Sequence, residues 1–308
     1  MTQEQYIKNL TPPAGPIDVV LDTDAYNEID DQFAISYMLG HSEKFHVQGI
    51  CAAPFYNDNS TGPEDGMIKS YHEILKLLRL SGHTELEKNV YQGASHYLPD
   101  EKTPVPSDGT DFLAELANGY TPEHPLYIVA IGAITNVASA ILRNPAMKEN
   151  CVLVWLGGHG HHWPSHGAAE FNMMQDIAGA RIVFSCGIPL VQLPCMGVVS
   201  SFATGKAELA CWLKGKNALC DYLYAHTEEA AETYASGKPW TRPIWDVTAV
   251  AWLLNENHRF MDDQLLPAPL PQYDFQYAPS QQNHLIRYVY HIHRDALMED
   301  LFRTLGGF

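Results

Sequence analysis

Between Val19 and Leu39 the chain reads VVLDTDAYNEIDDQFAISYML, and five acids, Asp22, Asp24, Glu28, Asp30 and Asp31, fall within ten residues between two apolar runs. Carboxylates held that close repel one another, so they must take up protons or share a cation. Hard oxygen donors in such number suit calcium or magnesium. The spacing also allows a plainer role, in which Glu28, Asp30 or Asp31 favours the positive N-terminal end of the following helix, with Asp30 or Asp31 as its cap.

Three familiar motifs fail against this stretch. An EF-hand loop counted from Asp22 needs Gly and Glu at its sixth and twelfth places, which hold Asn27 and Phe33. The Asp-x-Asp-x-Thr/Val signature of haloacid-dehalogenase-like phosphatases, whose first Asp attacks phosphorus, meets Tyr26 instead of Thr or Val. A dinucleotide site needs glycines in the first turn, where this chain places carboxylates.

The acids are delivered by an alternation of elements. Apolar runs at IDVVLD (from Ile17), VQGICAA (Val47), LYIVAIG (Leu126), CVLVWLGG (Cys151) and IPLVQL (Ile188) have the continuous apolarity of central strands covered on both faces. Helical patterns lie between them at 31–39, 66–80, 110–117, 135–142 and 176–185, which predicts an α/β fold. The expected architecture is an open, mainly parallel Rossmann-like sheet flanked by helices. In such a sheet ligands bind at the carboxyl ends of the strands, where Asp22 and Asp24 fall.

Past Ser200 the pattern turns helix-rich at 207–234 and 245–255, then Pro-rich at LPAPLPQYDFQYAPS, and closes with a strand at 285–292 and a helix at 294–305. With no internal repeat or linker, the expectation is one domain over 1–308. It comprises an N-terminal arm at 1–16 and a helical embellishment at 201–244 inserted near the site.

Composition narrows the function further. The 308 residues are 46% hydrophobic and carry a formal charge of −17, which disfavours nucleic acid polymers and anionic membranes as partners. Six scattered cysteines, none in a C-x-x-C pair, the absence of an apolar leader, and the lack of a run near ~18 apolar residues point to a reduced, cytoplasmic protein.

An Asp-x-Asp closing the first strand and an Asp-Asp opening the next helix resemble the signature of the inosine-uridine preferring nucleoside hydrolase family. Three further segments, AIGAITNVASAI from Ala130, AAEFN from Ala168 and IWDVTAVAW from Ile244, are similar to family segments in the same chain order. The resemblance implies that Asp24, Asp31, the main-chain carbonyl of Ile131 and Asp246 hold a calcium ion. It also implies that Asp30 and Asn57 bind the ribose 2′ and 3′ hydroxyls, and that Glu170 and Asn172 hold the 5′ end. Glu170 and Asn172 have a plainer reading as a helix cap ahead of Asp176, and Asn57 as a turn residue. By the same resemblance the protein hydrolyses nucleosides in salvage and assembles as a homodimer or homotetramer.

Cleaving a ribosyl C–N bond passes through an oxocarbenium-like state, so water must be activated and the base made a tolerable leaving group. The ion would lower the pKa of water from ~15.7 towards neutrality, and Asp24 would take its proton. Uridine-accepting relatives carry His just before the last metal-binding Asp; here Trp245 stands there, as in the purine-preferring branch, where the indole stacks on the base. Core packing at a helix start is the plainer reading of Trp245.

Five residues, Ala25 to Ile29, separate Asp24 from Asp30 where better-known members have about three, and Pro164 stands about where others use Asn. His159, His161, His162 and His166 crowd the same segment. Pro164 breaks the helical spacing a zinc site would use, so a leaving-group acid or a solvated loop is the expectation for them. The pair His291 and His293 reads as structural. Two other functions fit less of the chain: an Asp-nucleophile phosphatase, which needs a lysine for phosphate, and a ribosyl-binding protein without turnover.

Overall fold

A computed structural model describes residues 1–164, 167–280 and 283–308. One continuous eight-stranded sheet runs through a single α/β domain. Its strands are β1 (Ile17–Thr23), β2 (Phe45–Ala52), β3 (Val90–Gln92), β4 (Leu126–Ala130), β5 (Cys151–Leu156), β6 (Leu190–Leu193), β7 (Met261–Pro267) and β8 (Leu285–Ile292). They lie side by side in the order β3-β2-β1-β4-β5-β6-β8-β7, all parallel except the edge strand β7.

The chain steps from β1 to β2 and β3 in one direction, then returns to add β4, β5 and β6 on the other side of β1. The order therefore reverses between β1 and β4, and such a switch point opens a crevice at the carboxyl ends of the strands. The register aligns Asp22 with Ala130 across that gap and with Cys51 on the other side.

Among the described residues twelve α-helices surround the sheet: α1 (Gln3–Asn9), α2 (Asp30–Gly40), α3 (Pro63–Leu80), α4 (Asp108–Leu116), α5 (Thr135–Arg143), α6 (Met147–Asn150), α7 (Phe171–Gln175), α8 (Ile177–Ser185), α9 (Lys206–Trp212), α10 (Ala218–Ala235), α11 (Val247–Trp252) and α12 (Arg294–Leu305). Alternate β1 residues feed two cores. Val19 and Leu21 pack with α2, α3, α11 and α12, while Val20 joins the cluster built from α4, α5 and α8. That burial on both faces explains the unbroken apolarity of the strands.

Several elements differ from the sequence expectation. The short β3 and the acid-containing β7 were not foreseen, because three residues show no period and MDDQLLP mixes charges with apolar positions. The helix expected over 176–185 is preceded by a separate turn of helix, α7. Neither Asp30 nor Asp31 caps α2: Ile29 occupies the cap position without a side-chain bond, and both acids sit buried in the first turn. The 1–16 segment contains α1, tied to the sheet where Tyr6 donates to the Leu285 carbonyl at 2.8 Å. Within 201–244 lie α9, α10 and a two-stranded ribbon pairing Ala203–Gly205 with Thr241–Pro243.

Candidate active site

Asp24 follows β1 directly, and a turn closed by Asn27 N–H donating to the Asp24 carbonyl at 2.7 Å starts the loop to α2. Both Asp24 carboxylate oxygens are buried without a hydrogen-bond partner among the described residues. Gly132, in the turn after β4, makes room for this side chain: a Cβ there would lie 3.0 Å from the Asp24 carboxyl carbon.

Beside Asp24, Asp30, Asp31 and Asp246 each bring a carboxylate oxygen to within 4.8 Å of the others. The first two come from the start of α2, and Asp246 stands at the N-cap of α11, so two helix starts converge on the crevice. Thr23 Oγ donates to Asp31 and anchors one of its oxygens. Ile131 takes its place through a 2.9 Å bond from its N–H to the Asp22 carbonyl, and its own carbonyl accepts from Asn172 Nδ2 at 3.1 Å.

Burial governs the protonation of this cluster. It lifts the Asp31 carboxyl to about 8, with the Asp30 charge adding to the rise. Asp24 is raised well above the ordinary carboxylate range by burial, reinforced by Asp31 and Asp30, and Asp246 likewise by burial, reinforced by Asp30, Asp31 and Asp24. Behind them Asp22, which accepts from Asn136 Nδ2 at 2.7 Å, is raised by burial to about 7. Four buried carboxylates with so few donors among them constitute a charge deficit that a divalent cation corrects, and an all-oxygen donor set fits a hard ion.

The crevice beside the cluster is lined by Asp30, Ile131, Glu170, Asn172, Trp245 and Asp246, together with Asn27, Glu28, His159 and Met196. Thus eight residues singled out in the sequence, Glu28 and His159 among them, share one cleft. Glu170 is also the cap of α7: its carboxylate accepts from the N–H groups of Gly158, Asn172 and Met173 at 2.8–3.0 Å. Gly158 reaches it from a backbone at φ +78°, where a Cβ would collide with Tyr277. Asn172 donates to the carbonyls of Ile131 and Leu156. Asn57 is not among the lining residues; its amide donates to Asn27, which is.

Of the clustered histidines, His159 reaches the cleft. His161 is turned away, its Nε2 bonded to Gln192 Oε1 at 2.9 Å and burial holding it down at about 4. His166 lies outside the described residues. His291 is exposed, and His293 pairs with Asp262 at 3.0 Å.

Some neighbours were not foreseen. Arg242 forms an ion pair with Glu28 across the mouth, so one basic side chain does approach the acids. Its partner is 214 residues away in sequence, and no local pattern signals the pair. Asn27 and Glu28 belong to the long Asp24–Asp30 loop, whose extra length was the available signal.

The profile of the inosine-uridine preferring nucleoside hydrolases matches residues 19–269, which takes in every acid of the cluster. The chain belongs to that family. Among solved structures, a plant nucleoside hydrolase superposes with a TM-score of 0.75 at 19% identity, covering 95% of this chain and 100% of its own. A purine-preferring ribonucleoside hydrolase from Gardnerella vaginalis gives 0.70 at 20%, covering 94% and 98%. Both likenesses are of fold. In sequence, a probable uridine nucleosidase 2 of Arabidopsis thaliana is 33% identical over 104 residues, 32% of this chain and 31% of the relative. A pyrimidine-specific ribonucleoside hydrolase, RihB, of Escherichia coli is 36% identical over 70 residues, 21% of each chain. These matches span less than a third of the relatives' lengths. No helix among the described residues is long and apolar enough to cross a membrane.

Proposed function

We propose that the chain hydrolyses the N-glycosidic bond of ribonucleosides to free base and ribose, at a calcium site, with purines preferred. The observation that carries this reading is the partnerless pair of Asp24 oxygens beside the Asp30, Asp31 and Asp246 carboxylates, all at the switch point of the sheet.

Asp24, Asp31, Asp246 and the Ile131 carbonyl would hold the ion. When bound, calcium lowers the pKa of water and neutralises the clustered charge. Asp24 accepts the proton of the attacking water through whichever oxygen faces the substrate. Asp30 accepts from a ribose hydroxyl, with Asn57 supporting through Asn27. The Asn172 amide N–H groups are engaged, which leaves its Oδ1 to accept from the 5′ hydroxyl beside Glu170. Ionised acceptors around the ribose favour the positive charge that develops on the sugar.

The cleft offers about 180 Å³ of accessible space, below the ~300–1,000 Å³ of sites for drug-sized ligands, which is consistent with a ribose held inside and the base towards the mouth. Trp245 adjoins Asp246 and lines the same cleft, and its indole is read as the surface on which that base stacks, an interaction contributing about 1–3 kcal/mol. This supports the purine preference.

Chromatography of purine and pyrimidine nucleosides after incubation with the protein tests the reading. Free purine base and ribose are expected. Faster release from pyrimidine nucleosides would overturn the preference, and hydrolysis of a phosphate ester with no release of base would overturn the reaction type.

A further inference from the structure

We propose that His159 is a catalytic residue that donates a hydrogen bond from Nε2 to the departing base; this rests on the nucleoside-hydrolysing function proposed above. The inference comes from the tautomer that the fold imposes. Met196 N–H donates to His159 Nδ1 at 3.3 Å, and a backbone amide can only donate. In the neutral ring the hydrogen therefore resides on Nε2, and this nitrogen has no partner among the described residues.

The ring is held firmly. His159 follows β5 through the Gly157-Gly158 turn, its backbone N–H donates to the Gly167 carbonyl at 2.7 Å, and its ring sits beside Trp163, tilted at 53° with ring centroids 6.0 Å apart. It shares the cleft wall with Met196, Phe171 and Trp245, the apolar stretch that a planar base would contact. Several groups nearby have no donor to spare. Asp30, Glu170 and Asp246 offer acceptors when ionised, Asn172 spends its amide hydrogens on two carbonyls, and His161 spends its own on Gln192.

Chemistry supplies the demand for a donor. As the C1′–N bond breaks, its electron pair passes to the base, while the water oxygen bonds to C1′, keeps one hydrogen in the new hydroxyl and yields the other to Asp24. The anionic base leaves with the Nε2–H hydrogen bond in place and takes its proton from solvent. Burial holds the His159 imidazole below its ordinary value, so near neutrality the ring donates a hydrogen bond rather than a full proton.

The test compares inosine with 4-nitrophenyl β-ribofuranoside, whose phenolate departs without help. His159→Asn keeps an oxygen to accept from Met196 N–H, while its amide hydrogens stop short of where the Nε2–H stands; His159→Ala removes acceptor and donor both. With the Asn variant, kcat on inosine should fall on the order of 10²-fold while the nitrophenyl riboside changes by less than about threefold. Equal losses on both substrates would assign the ring to holding the sugar or loop and overturn the donor role, as would unchanged rates on both. If the unsubstituted protein cleaves neither substrate, the function proposed above falls and the donor role with it.

Discussion

Asp24 is the acid whose two carboxylate oxygens are both buried and without a partner among the described residues. Thr23 serves Asp31, and Asn136 serves one oxygen of Asp22. Asp24→Ala should therefore abolish calcium binding in titration calorimetry and lower base release by about 10²–10⁴-fold together. Retention of full activity would dissociate this acid from the chemistry. For Trp245→Ala the expected loss is selective, roughly 5- to 150-fold in kcat/KM on purine nucleosides, the equivalent of one lost stacking contact. A loss of the same size on a nitrophenyl riboside would assign Trp245 to packing. At this scale the acids were legible because their spacing is unusual in itself. The contact from Asn57 to the cleft-lining Asn27 was not legible, since no local pattern pairs residues so far apart.

The elements explain why the acids meet. Gly132 occupies the turn where β4 approaches the end of β1, with Asp24 and Ala53 both within 3.1 Å of where a side chain would begin. Gly132→Ala should displace Asp24 by a few tenths of an ångström and weaken calcium binding about 10- to 100-fold, the usual cost of disturbing a ligand's support. A variant that binds calcium as before would show that the turn has slack. Strands buried on both faces and the long helices were readable from period and composition, and β8 and α12 lie where the sequence placed them. What escaped were elements whose reason is tertiary: β7 exists because β8 offers it an antiparallel edge, and Glu28 is fixed by Arg242 from the inserted ribbon. Pairing across such distances leaves no local trace.

Over the whole molecule, the cluster couples stability to pH and, on the function proposed above, to calcium. Without the ion, Asp31 and Asp22 titrate at about 8 and about 7 in the folded state against 3.8 as ordinary carboxylates. Between those values these two groups bind more protons in the folded chain than in the unfolded one, so their contribution to stability is full below about pH 4 and is lost as pH rises towards 8. Calcium requires the ionised carboxylates, so its stabilising effect should run the opposite way. Melting curves should show a larger calcium-induced rise in Tm at pH 8 than at pH 5, and an equal rise at both would place the ion elsewhere. The sheet order was foreseeable only as parallel α/β; its reversal between β1 and β4, which turns a row of strand ends into one crevice, required the structure.

Base release from inosine by chelator-treated protein, measured before and after calcium is restored, tests the central claim most directly. The account predicts that release stops with chelator and returns with calcium. Release that continues undiminished in chelator, or that calcium fails to restore to folded protein, would contradict it.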